Sequence, residues 1–179
     1  MVTVFKTKRL YVRLFTAKDS DNFFALNGNE QVMRYIRAPK SRQACDLFLN
    51  QVMRYSEETK LFGRWAVEDR SGNFVGSFAI IPVEGRDEMQ LGYSLLPPYW
   101  GLGYATELTK EAIQYVFTKT SLDPIYAYTD KENKASQNVL LKSGFSPAPS
   151  RFDGEREILG FILHKKEIAG RLLIVEGRI

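Results

Sequence analysis

The sequence predicts one α/β (α+β) domain with a mixed sheet, spanning residues 1–179. Segments of alternating polarity, typical of half-buried strands, are interleaved with amphipathic helical segments in the order β-α-α-β-β-β-α-β-α-β-β. The length of 179 residues suits a single domain with a substantial core, and no internal repeat or low-complexity linker divides it. A hydrophobic content of 44% and a charged content of 26% are those of an ordinary soluble globular protein.

The first half of the chain begins with a strand, which several helical pieces follow. Residues 9–15 alternate as a strand, and Thr16 followed by Asp19 indicates a helix entry. Asn27 and Gly28 interrupt that helix, and Ser41 is a candidate N-cap for a longer one. The prediction is therefore a short helix at 20–26, a further pair of helical turns at 30–36 after the break, and a longer helix at 41–55.

The second half of the chain is predicted to contain most of the sheet. A hairpin around 70–73 joins two strands, and a turn at 84–87 leads into a third. Asn133 is a candidate N-cap for a late helix, and Gly144 stands where that helix would end. The pattern leaves the strand order and the segment 169–179 open. The predicted elements are strands 62–69, 73–82 and 88–96, helix 104–119, strand 124–129, helix 133–143, a strand opening at 145–146, a loop at 147–154 and a last strand at 157–166.

The stretch 91–116 carries the main functional signal. A strand ends at Pro97 and Pro98, turns through Gly101 and Gly103, and continues as an amphipathic helix. The first amides of a helix lack backbone partners, and the helix dipole adds partial positive charge, so such a turn can bind a phosphate. The spacing fits neither a dinucleotide fingerprint nor a P-loop. On the glycines alone, a plain strand-to-helix turn that binds no ligand is an equal alternative.

Two motifs stand in a fixed order in this part of the chain. The residues of the first are Pro97, Trp100, Gly101, Gly103, Tyr104, Ala105, Thr106 and Glu107. The residues of the second are Asn133, Ser136, Val139, Leu140, Lys142, Gly144 and Phe145. The first resembles the acyl-CoA-binding motif of the GNAT superfamily of N-acyltransferases, most closely that of the Rim-type ribosomal-protein N-terminal acetyltransferases, and the second resembles the element that follows it in that family. The chain departs from the family in having Gln90 where a carboxylate is usual and Leu140 where many members have a catalytic tyrosine.

The resemblance implies a GNAT-like fold, with a mostly antiparallel sheet that is splayed between the fourth and fifth strands and flanked by helices. It also implies transfer of an acetyl group from acetyl-CoA to a primary amine, by direct attack in a ternary complex. The loop amides would bind the pyrophosphate, and strand backbone near Leu95 would pair with the pantetheine and polarise the thioester carbonyl. The predicted cofactor-binding residues are Ser94, Leu95, Leu96, Trp100, Gly101, Leu102, Gly103, Tyr104, Ala105, Thr106 and Asn133.

Three residues are predicted to be catalytic. By the same resemblance, Ser136 would protonate the departing thiolate, with Asn133 beside it at the helix start. Glu88 is the candidate base, since Gln90 cannot accept a proton as a carboxylate does. Each has a structural alternative: a helix N-cap for Asn133, a surface serine for Ser136 and a solvated strand-end charge for Glu88. Water alone is a further candidate for the base.

The acceptor side is predicted at 26–39 and in the loop 147–156. Its polar residues, which would recognise a peptide backbone, an acidic side chain or a carboxylate unless they are only solvated surface groups, are Arg34, Tyr35, Arg37, Arg151 and Arg156. Trp65 and Phe62 are predicted to be core. A protein N-terminal amine is the favoured acceptor by resemblance, and a small-molecule amine is nearly as well supported. A non-catalytic acyl-CoA-binding module and a purely structural domain are the remaining alternatives.

Composition argues against several other classes of function. The net charge of +4 is mild and scattered, so no nucleic-acid partner is indicated. The single cysteine, Cys45, is predicted to be a buried structural thiol, and the single histidine, His164, makes a metal site improbable. The sequence has no apolar run of membrane-span length and no signal-peptide pattern, so a cytoplasmic protein without membrane contact is expected. A monomer or a homodimer is expected, the latter through an apolar run at 172–175.

Overall fold

The computed structural model describes residues 2–168, which form an α/β arrangement of eight strands and five helices. Two short 3₁₀ turns, Ala17–Asp19 and Pro97–Tyr99, precede helices α1 and α4. The elements in chain order are β1 (Thr3–Lys6), β2 (Leu10–Arg13), α1 (Ser20–Asn27), α2 (Glu30–Met33), α3 (Arg42–Thr59), β3 (Gly63–Asp69), β4 (Phe74–Pro82), β5 (Met89–Leu95), α4 (Tyr104–Lys119), β6 (Ile125–Asp130), α5 (Lys134–Lys142), β7 (Ser146–Asp153) and β8 (Arg156–Leu163).

All eight strands form one sheet in the order β1-β2-β3-β4-β5-β6-β8-β7. Every neighbouring pair is antiparallel except β5 and β6, which are parallel. The β5–β6 ladder has only two residue pairs, Gln90 with Tyr126 and Leu91 with Ala127, so the strands separate beyond them. These are the fourth and fifth of the strands predicted from the sequence. The predicted mixed, mostly antiparallel and splayed sheet is therefore confirmed.

Helices cover both faces of the sheet. Helices α4 and α5 pack on one face, where alternate strand residues such as Trp65, Leu91 and Leu95 form the larger core. Helices α1, α2 and α3 pack on the other face with a smaller core that includes Ala66. We call these the α4/α5 face and the α3 face. Trp65 is 1% exposed in the larger core and Phe62 packs against it, as predicted for both.

The structure corrects several predicted boundaries. Strand β1 was missed because its four residues lie at the sheet edge, half exposed, with no clear alternation. The predicted loop 147–154 is instead strand β7. Its two prolines, Pro147 and Pro149, are tolerated because β7 is an edge strand and its register shifts between Ala148 and Arg151.

Three element ends also differ from the predictions. The helix predicted at 30–36 ends at Met33, and the one predicted to end at 55 continues to Thr59. The last strand ends at Leu163 and not at 166. The ambiguous segment 169–179, including the apolar run 172–175, lies outside the described residues. No helix among residues 2–168 is long and apolar enough to cross a bilayer.

Candidate active site

The loop between β5 and α4 presents unpaired amides at the start of a helix. Gly101 and Gly103 have φ values of 73° and 77°, a left-handed backbone that glycine adopts without a Cβ clash. Glu107 is the first residue of α4 whose amide donates to a backbone carbonyl, that of Gly103. The amides of residues 101–106 therefore remain available, as the anion-site prediction requires. An added Cβ on Gly101 would meet no atom within 4 Å, so there is open space beside this residue.

Trp100 has a different place in this loop from the one predicted. Its amide donates to the carbonyl of Pro97, and its indole Nε1 donates to the carbonyl of Leu95 at 2.6 Å. Both donors are thus engaged within the loop itself. Trp100 shapes the turn, and the phosphate contact predicted for its amide stays a prediction.

A polar cluster that was not predicted from the sequence connects this loop to the segment between β1 and β2. Glu107 accepts hydrogen bonds from the hydroxyl of Thr7 and from the amide and Nε of Arg9, at 2.5, 2.7 and 2.6 Å. Arg9 also donates to the carbonyl of Leu102 at 2.9 Å and covers the ring of Tyr104. Burial alone would raise the pKa of Glu107, but the hydrogen bonds from Thr7 and Arg9 outweigh it and lower the pKa. Glu107 therefore holds the loop as a carboxylate.

The gap between β5 and β6 exposes the strand backbone beside this loop. The amide of Leu96 donates to Val75 on β4, and the carbonyl of Ser94 lies against Gly76 on β4. Because the backbone groups of successive strand residues point to opposite sides, those of Tyr93 and Leu95 face the gap. The amide of Leu95 thus faces the gap, where the predicted pantetheine pairing would take place, whereas its carbonyl accepts the indole of Trp100. The backbone of Ser94 and Leu96 is directed to β4 instead, so pairing by those two residues finds no support in this geometry.

Helix α5 begins opposite β5 on the α4/α5 face. Asn133 is its N-cap, with Oδ1 accepting the amide of Ser136 at 3.0 Å. The hydroxyl of Ser136 accepts a hydrogen bond from the phenol of Tyr93 at 3.4 Å. Burial raises the pKa of Tyr93, so this phenol is protonated at neutral pH. Leu140 is 2% exposed in the larger core, so this position contributes packing and no titratable group.

Tyr93 was not among the residues predicted to be functional. Its partner Ser136 is 43 residues further along the chain, so no local spacing connects the two. Tyr93 lies two residues beyond Leu91, the last residue of β5 that pairs with β6, and this relation is visible only once the sheet is known.

Glu88 lies apart from the other predicted catalytic residues. It precedes β5 and accepts a hydrogen bond from the phenol of Tyr128 at 2.6 Å, and Arg86 lies 3.4 Å away. Burial and this carboxylate raise the pKa of Tyr128 to about 12. Glu88 precedes Tyr93 by five positions, which corresponds to roughly 16 Å of strand at about 3.3 Å per residue. The structure therefore groups Asn133 with Ser136 and leaves Glu88 at the other end of β5.

The predicted acceptor residues are dispersed in the structure. Arg156 is engaged with Asp130 at 2.7 Å, and the guanidinium of Arg151 covers the ring of Tyr128 at 4.6 Å. Arg34 is exposed, and its guanidinium lies over the ring of Tyr35. Arg37 is partly buried, and its guanidinium donates to Oδ1 of Asn27 at 2.5 Å. Among them, only Arg37 lies near other cationic side chains of the α3 face.

The sheet surface near the gap has free space on the α3 face. An added Cβ on Gly92 would meet no atom within 4 Å, and its φ is one that any residue adopts. Gly92 pairs with Ala79 on β4, so two small residues lie side by side beneath this space. Among residues 2–168, no three His, Cys, Asp or Glu side chains are grouped to hold a metal ion.

Comparison with known proteins agrees with this geometry. Residues 9–146 match the Acetyltransferase (GNAT) domain family. The uncharacterised N-acetyltransferase YoaA of Bacillus subtilis is 30% identical over 152 residues, covering 81% of this chain and 84% of that relative. The crystal structure of spermidine N-acetyltransferase from Vibrio cholerae, in complex with CoA and spermine, has a TM-score of 0.75 at 21% identity and covers 89% of this chain and 98% of its own.

The Rim-type branch is represented by one structural neighbour of several. RimL, a ribosomal-protein alpha-N-acetyltransferase in complex with coenzyme A, has a TM-score of 0.78 and covers 90% of this chain and 97% of its own. Its identity is 10%, so it shows a shared fold and no closer kinship within the family. Two motifs in order, a splayed sheet with an open amide loop, and the matched residues 9–146 lead to one conclusion. The chain belongs to the GNAT family of acetyltransferases.

Proposed function

We propose that this chain transfers the acetyl group of acetyl-CoA to a primary amine, with both substrates bound together. The observation that carries the proposal is the turn at Gly101 and Gly103, with its free amides, opening beside the β5–β6 gap. An anion site and an exposed strand edge lie next to each other there, which suits a ligand with a pyrophosphate and an amide-containing arm.

The residues present fit coenzyme A. The amides of residues 101–106 would hold the pyrophosphate, and the outward backbone groups of Tyr93 together with the amide of Leu95 would pair with the pantetheine arm. When bound, acetyl-CoA supplies a reactive thioester, so much of the acceleration comes from holding the amine against it. The amide of Leu95 would donate to the thioester carbonyl.

Proton handling is divided between the two faces of the sheet. On the α4/α5 face, the phenol of Tyr93 donates to the hydroxyl of Ser136, and this pair is suited to protonate a departing thiolate. On the α3 face, Glu88, which immediately precedes β5 and accepts a hydrogen bond from Tyr128, is the candidate base. Its distance from the gap requires a bridging water to take the proton of the amine.

Two alternatives remain for the finer description. A protein N-terminal amine and a small-molecule amine are both consistent with the relatives, one named for a ribosomal protein and another for spermidine. A non-catalytic acyl-CoA-binding module would keep the amide loop but would have no use for the hydrogen bond between Tyr93 and Ser136. That contact favours an enzyme.

The test is a calorimetric titration of the purified chain with acetyl-CoA and, separately, with S-acetylpantetheine, which lacks the pyrophosphate. We expect saturable binding of acetyl-CoA and binding of S-acetylpantetheine weaker by at least about 100-fold, since the anion contacts are lost. Release of free CoA thiol with a panel of amines then measures turnover. Equal affinities would contradict the amide-loop site, and binding without turnover of any amine would favour the non-catalytic module.

A further inference from the structure

Three cationic side chains converge on one aromatic ring of the α3 face. Arg37, Lys40 and Arg64 lie 5.4, 5.3 and 5.8 Å from the centroid of the Phe48 ring. They come from separate places, since Arg37 and Lys40 follow α2 and Arg64 belongs to β3. Attraction between each cation and the ring offsets part of their mutual repulsion, but it neutralises none of the charge. We call Arg37, Lys40, Phe48 and Arg64 the cationic pocket.

No carboxylate balances the pocket among residues 2–168. None of the ion pairs within 4.0 Å that these residues form includes Arg37, Lys40 or Arg64. Arg13, on the same face of neighbouring strand β2, shows the usual arrangement for a buried arginine. It contacts both Asp19 and Glu68, at 2.6 and 2.5 Å. Two carboxylates thus neutralise the charge of Arg13, whereas Arg64 forms no ion pair with the described residues.

The arginines of the pocket are held in place and partly removed from water. The side chain of Asn27, which is 3% exposed, accepts Arg37 at 2.5 Å while donating to the carbonyl of Phe23. The Nε of Arg37 is buried with no hydrogen-bond partner. Burial, and then the charge of Arg37, lower the pKa of Arg64 to about 10, and burial also lowers the pKa of Arg37. An arrangement that disfavours its own charges in this way is one that an anion would stabilise.

The pocket adjoins the position where the acceptor amine must arrive. A guanidinium nitrogen of Arg64 lies 3.5 Å from the hydroxyl of Ser77, and that hydroxyl lies 3.1 Å from the hydroxyl of Ser94 on β5. Arg64 also pairs across the sheet with Ala79, which pairs with Gly92. The open floor at Gly92 therefore lies two strands from Arg64, roughly 10 Å by strand spacing, on the same face.

We propose that the cationic pocket binds a carboxylate of the acceptor, so that the amine acetylated by this chain carries a carboxylate close to its amino group. This inference rests on the proposed acetyl transfer and names the substrate class of that same site. Arg64 and Arg37 supply fork-shaped donors that match a carboxylate, with Lys40 as an additional charge. A polyamine would bring its positive charges against three others, so spermidine is disfavoured as an acceptor. A free amino acid and an acidic peptide both carry the required group.

The experiment uses reaction products as probes, because they need no turnover to be measured. N-acetyl-L-amino acids and the corresponding N-acetylamino acid amides, in matched pairs, are titrated calorimetrically into the CoA-saturated protein. N-acetyl dipeptide amides with glutamate at the second position distinguish a peptide source from a free amino acid, and N1-acetylspermidine represents the polyamines. We expect carboxylate products to bind at least about tenfold more tightly than their amides.

Variants then assign the preference to the pocket. Arg64→Gln should reduce the affinity of the carboxylate product to that of its amide, and Lys40→Gln should reduce it in part. Arg54→Gln, which removes an exposed arginine of α3 outside the pocket, should leave the preference intact. CoA binding by each variant reports that it is folded.

The outcomes separate this inference from the proposed function. Equal affinities within the pairs, absence of binding by every carboxylate, or tighter binding of N1-acetylspermidine would overturn the carboxylate assignment while CoA binding upholds the cofactor site. Failure of the wild-type chain to bind CoA would overturn the proposed function first, and the assignment with it.

Discussion

Neighbouring residues of β5 act on opposite sides of the sheet. The side chain of Leu95 is buried in the larger core while its backbone faces the gap, and the side chain of Ser94 contacts Ser77 on the α3 face. Single substitutions on this strand and its loop can therefore separate binding of the cofactor, binding of the acceptor and proton transfer.

Gly103→Val should weaken acetyl-CoA binding by about tenfold or more. A left-handed backbone costs a residue with a Cβ roughly 1–2 kcal/mol, so the loop would shift and its amides would lose their alignment. Gly72→Val is the matched control, because Gly72 has a φ of 82° in the β3–β4 turn and open space around its Cβ position. Both variants should lose stability, but only Gly103→Val should lose affinity in a calorimetric titration. Unchanged affinity would remove the phosphate assignment.

Gly92→Leu should block the acceptor and spare the cofactor. Since the position has an ordinary φ and no atom within 4 Å of an added Cβ, the variant can fold without strain and project its side chain over the α3 face. We expect KM for the amine to rise by at least about tenfold, in keeping with steric occlusion of a binding surface. Acetyl-CoA affinity, measured on the same preparation, should not change. A loss of both affinities would mean that Gly92 supports the cofactor side instead.

Tyr93→Phe and Ser136→Ala should each lower kcat, by about 100-fold if the pair supplies the general acid. Ser136→Ala keeps the backbone amide that Asn133 caps, so α5 should survive the change. Tyr115→Phe is the control, because Tyr115 is a partly buried tyrosine of α4 that stacks on Phe5 away from the gap. Release of CoA thiol is the measurement, and Cys45 at 1% exposure should not interfere. Wild-type turnover in both variants would leave the thiolate to be protonated by water.

At the scale of elements, a buried ion cluster joins β2, β3 and the entry to α1. Arg13 contacts Asp19 and Glu68, and the side chain of Asp19 also accepts the amide and hydroxyl of Thr16. Burial alone would raise the pKa of Asp19, but the hydrogen bonds from Arg13 and Thr16 prevail and lower it. A pKa that is lower in the folded state stabilises the fold above the unfolded value near 4, and this stabilisation disappears as the pH falls through the folded value.

Asp19→Asn should therefore lower the free energy of unfolding at neutral pH by about 3–5 kcal/mol, the usual effect of breaking a buried pair. The wild-type advantage should shrink as the pH falls below about 4, because the unfolded chain then binds a proton that the folded protein takes up only at a lower pH. Asp46→Asn, which removes an exposed partner of Arg42, should have a much smaller effect. Urea unfolding at a series of pH values measures all three proteins. A pH-independent difference between wild type and Asp19→Asn would contradict the linkage.

The sheet consists of two parts, β1–β5 and β6–β8–β7, which are connected by the short β5–β6 ladder. Only two residue pairs link β5 to β6, whereas six link β6 to β8 and seven link β4 to β5. A ligand that fills the gap replaces the missing ladder with its own hydrogen bonds. Binding of such a ligand should therefore protect the strand edge and stabilise the fold by mass action.

Hydrogen exchange followed by NMR can test this directly. The amides of Tyr93 and Leu95 face the gap and should exchange quickly in the free protein and at least about tenfold more slowly with acetyl-CoA. The amide of Leu96 donates to Val75 and should be protected in both states. Uniform slowing across the sheet would indicate global stabilisation only. No change at Leu95 would exclude pantetheine pairing at this edge.

The sequence by itself determined most of the elements and the glycine turn before α4, because both depend on local periodicity and on spacing within one segment. Helix α4 lies at the predicted residues Tyr104–Lys119, Asn133 caps α5 as predicted, and Gly101 and Gly103 have the positive φ that a tight turn requires. The family motif followed from the same short segments. Local patterns failed where a strand lies at the sheet edge, as in β1 and β7, since an edge strand needs neither strict alternation nor every backbone donor.

Only the tertiary structure decided which distant residues meet. The contacts of Tyr93 with Ser136 and of Thr7 and Arg9 with Glu107 join segments 43, 100 and 98 residues apart, and no sequence period encodes such distances. The uncompensated charge of Arg64 was equally invisible, because whether an arginine meets a carboxylate depends on which helix covers its strand. Local preference fixes the elements, and the packing of the sheet fixes the partners, so the glycine turn could be predicted from the sequence, whereas the charges around the proposed acceptor site required the fold.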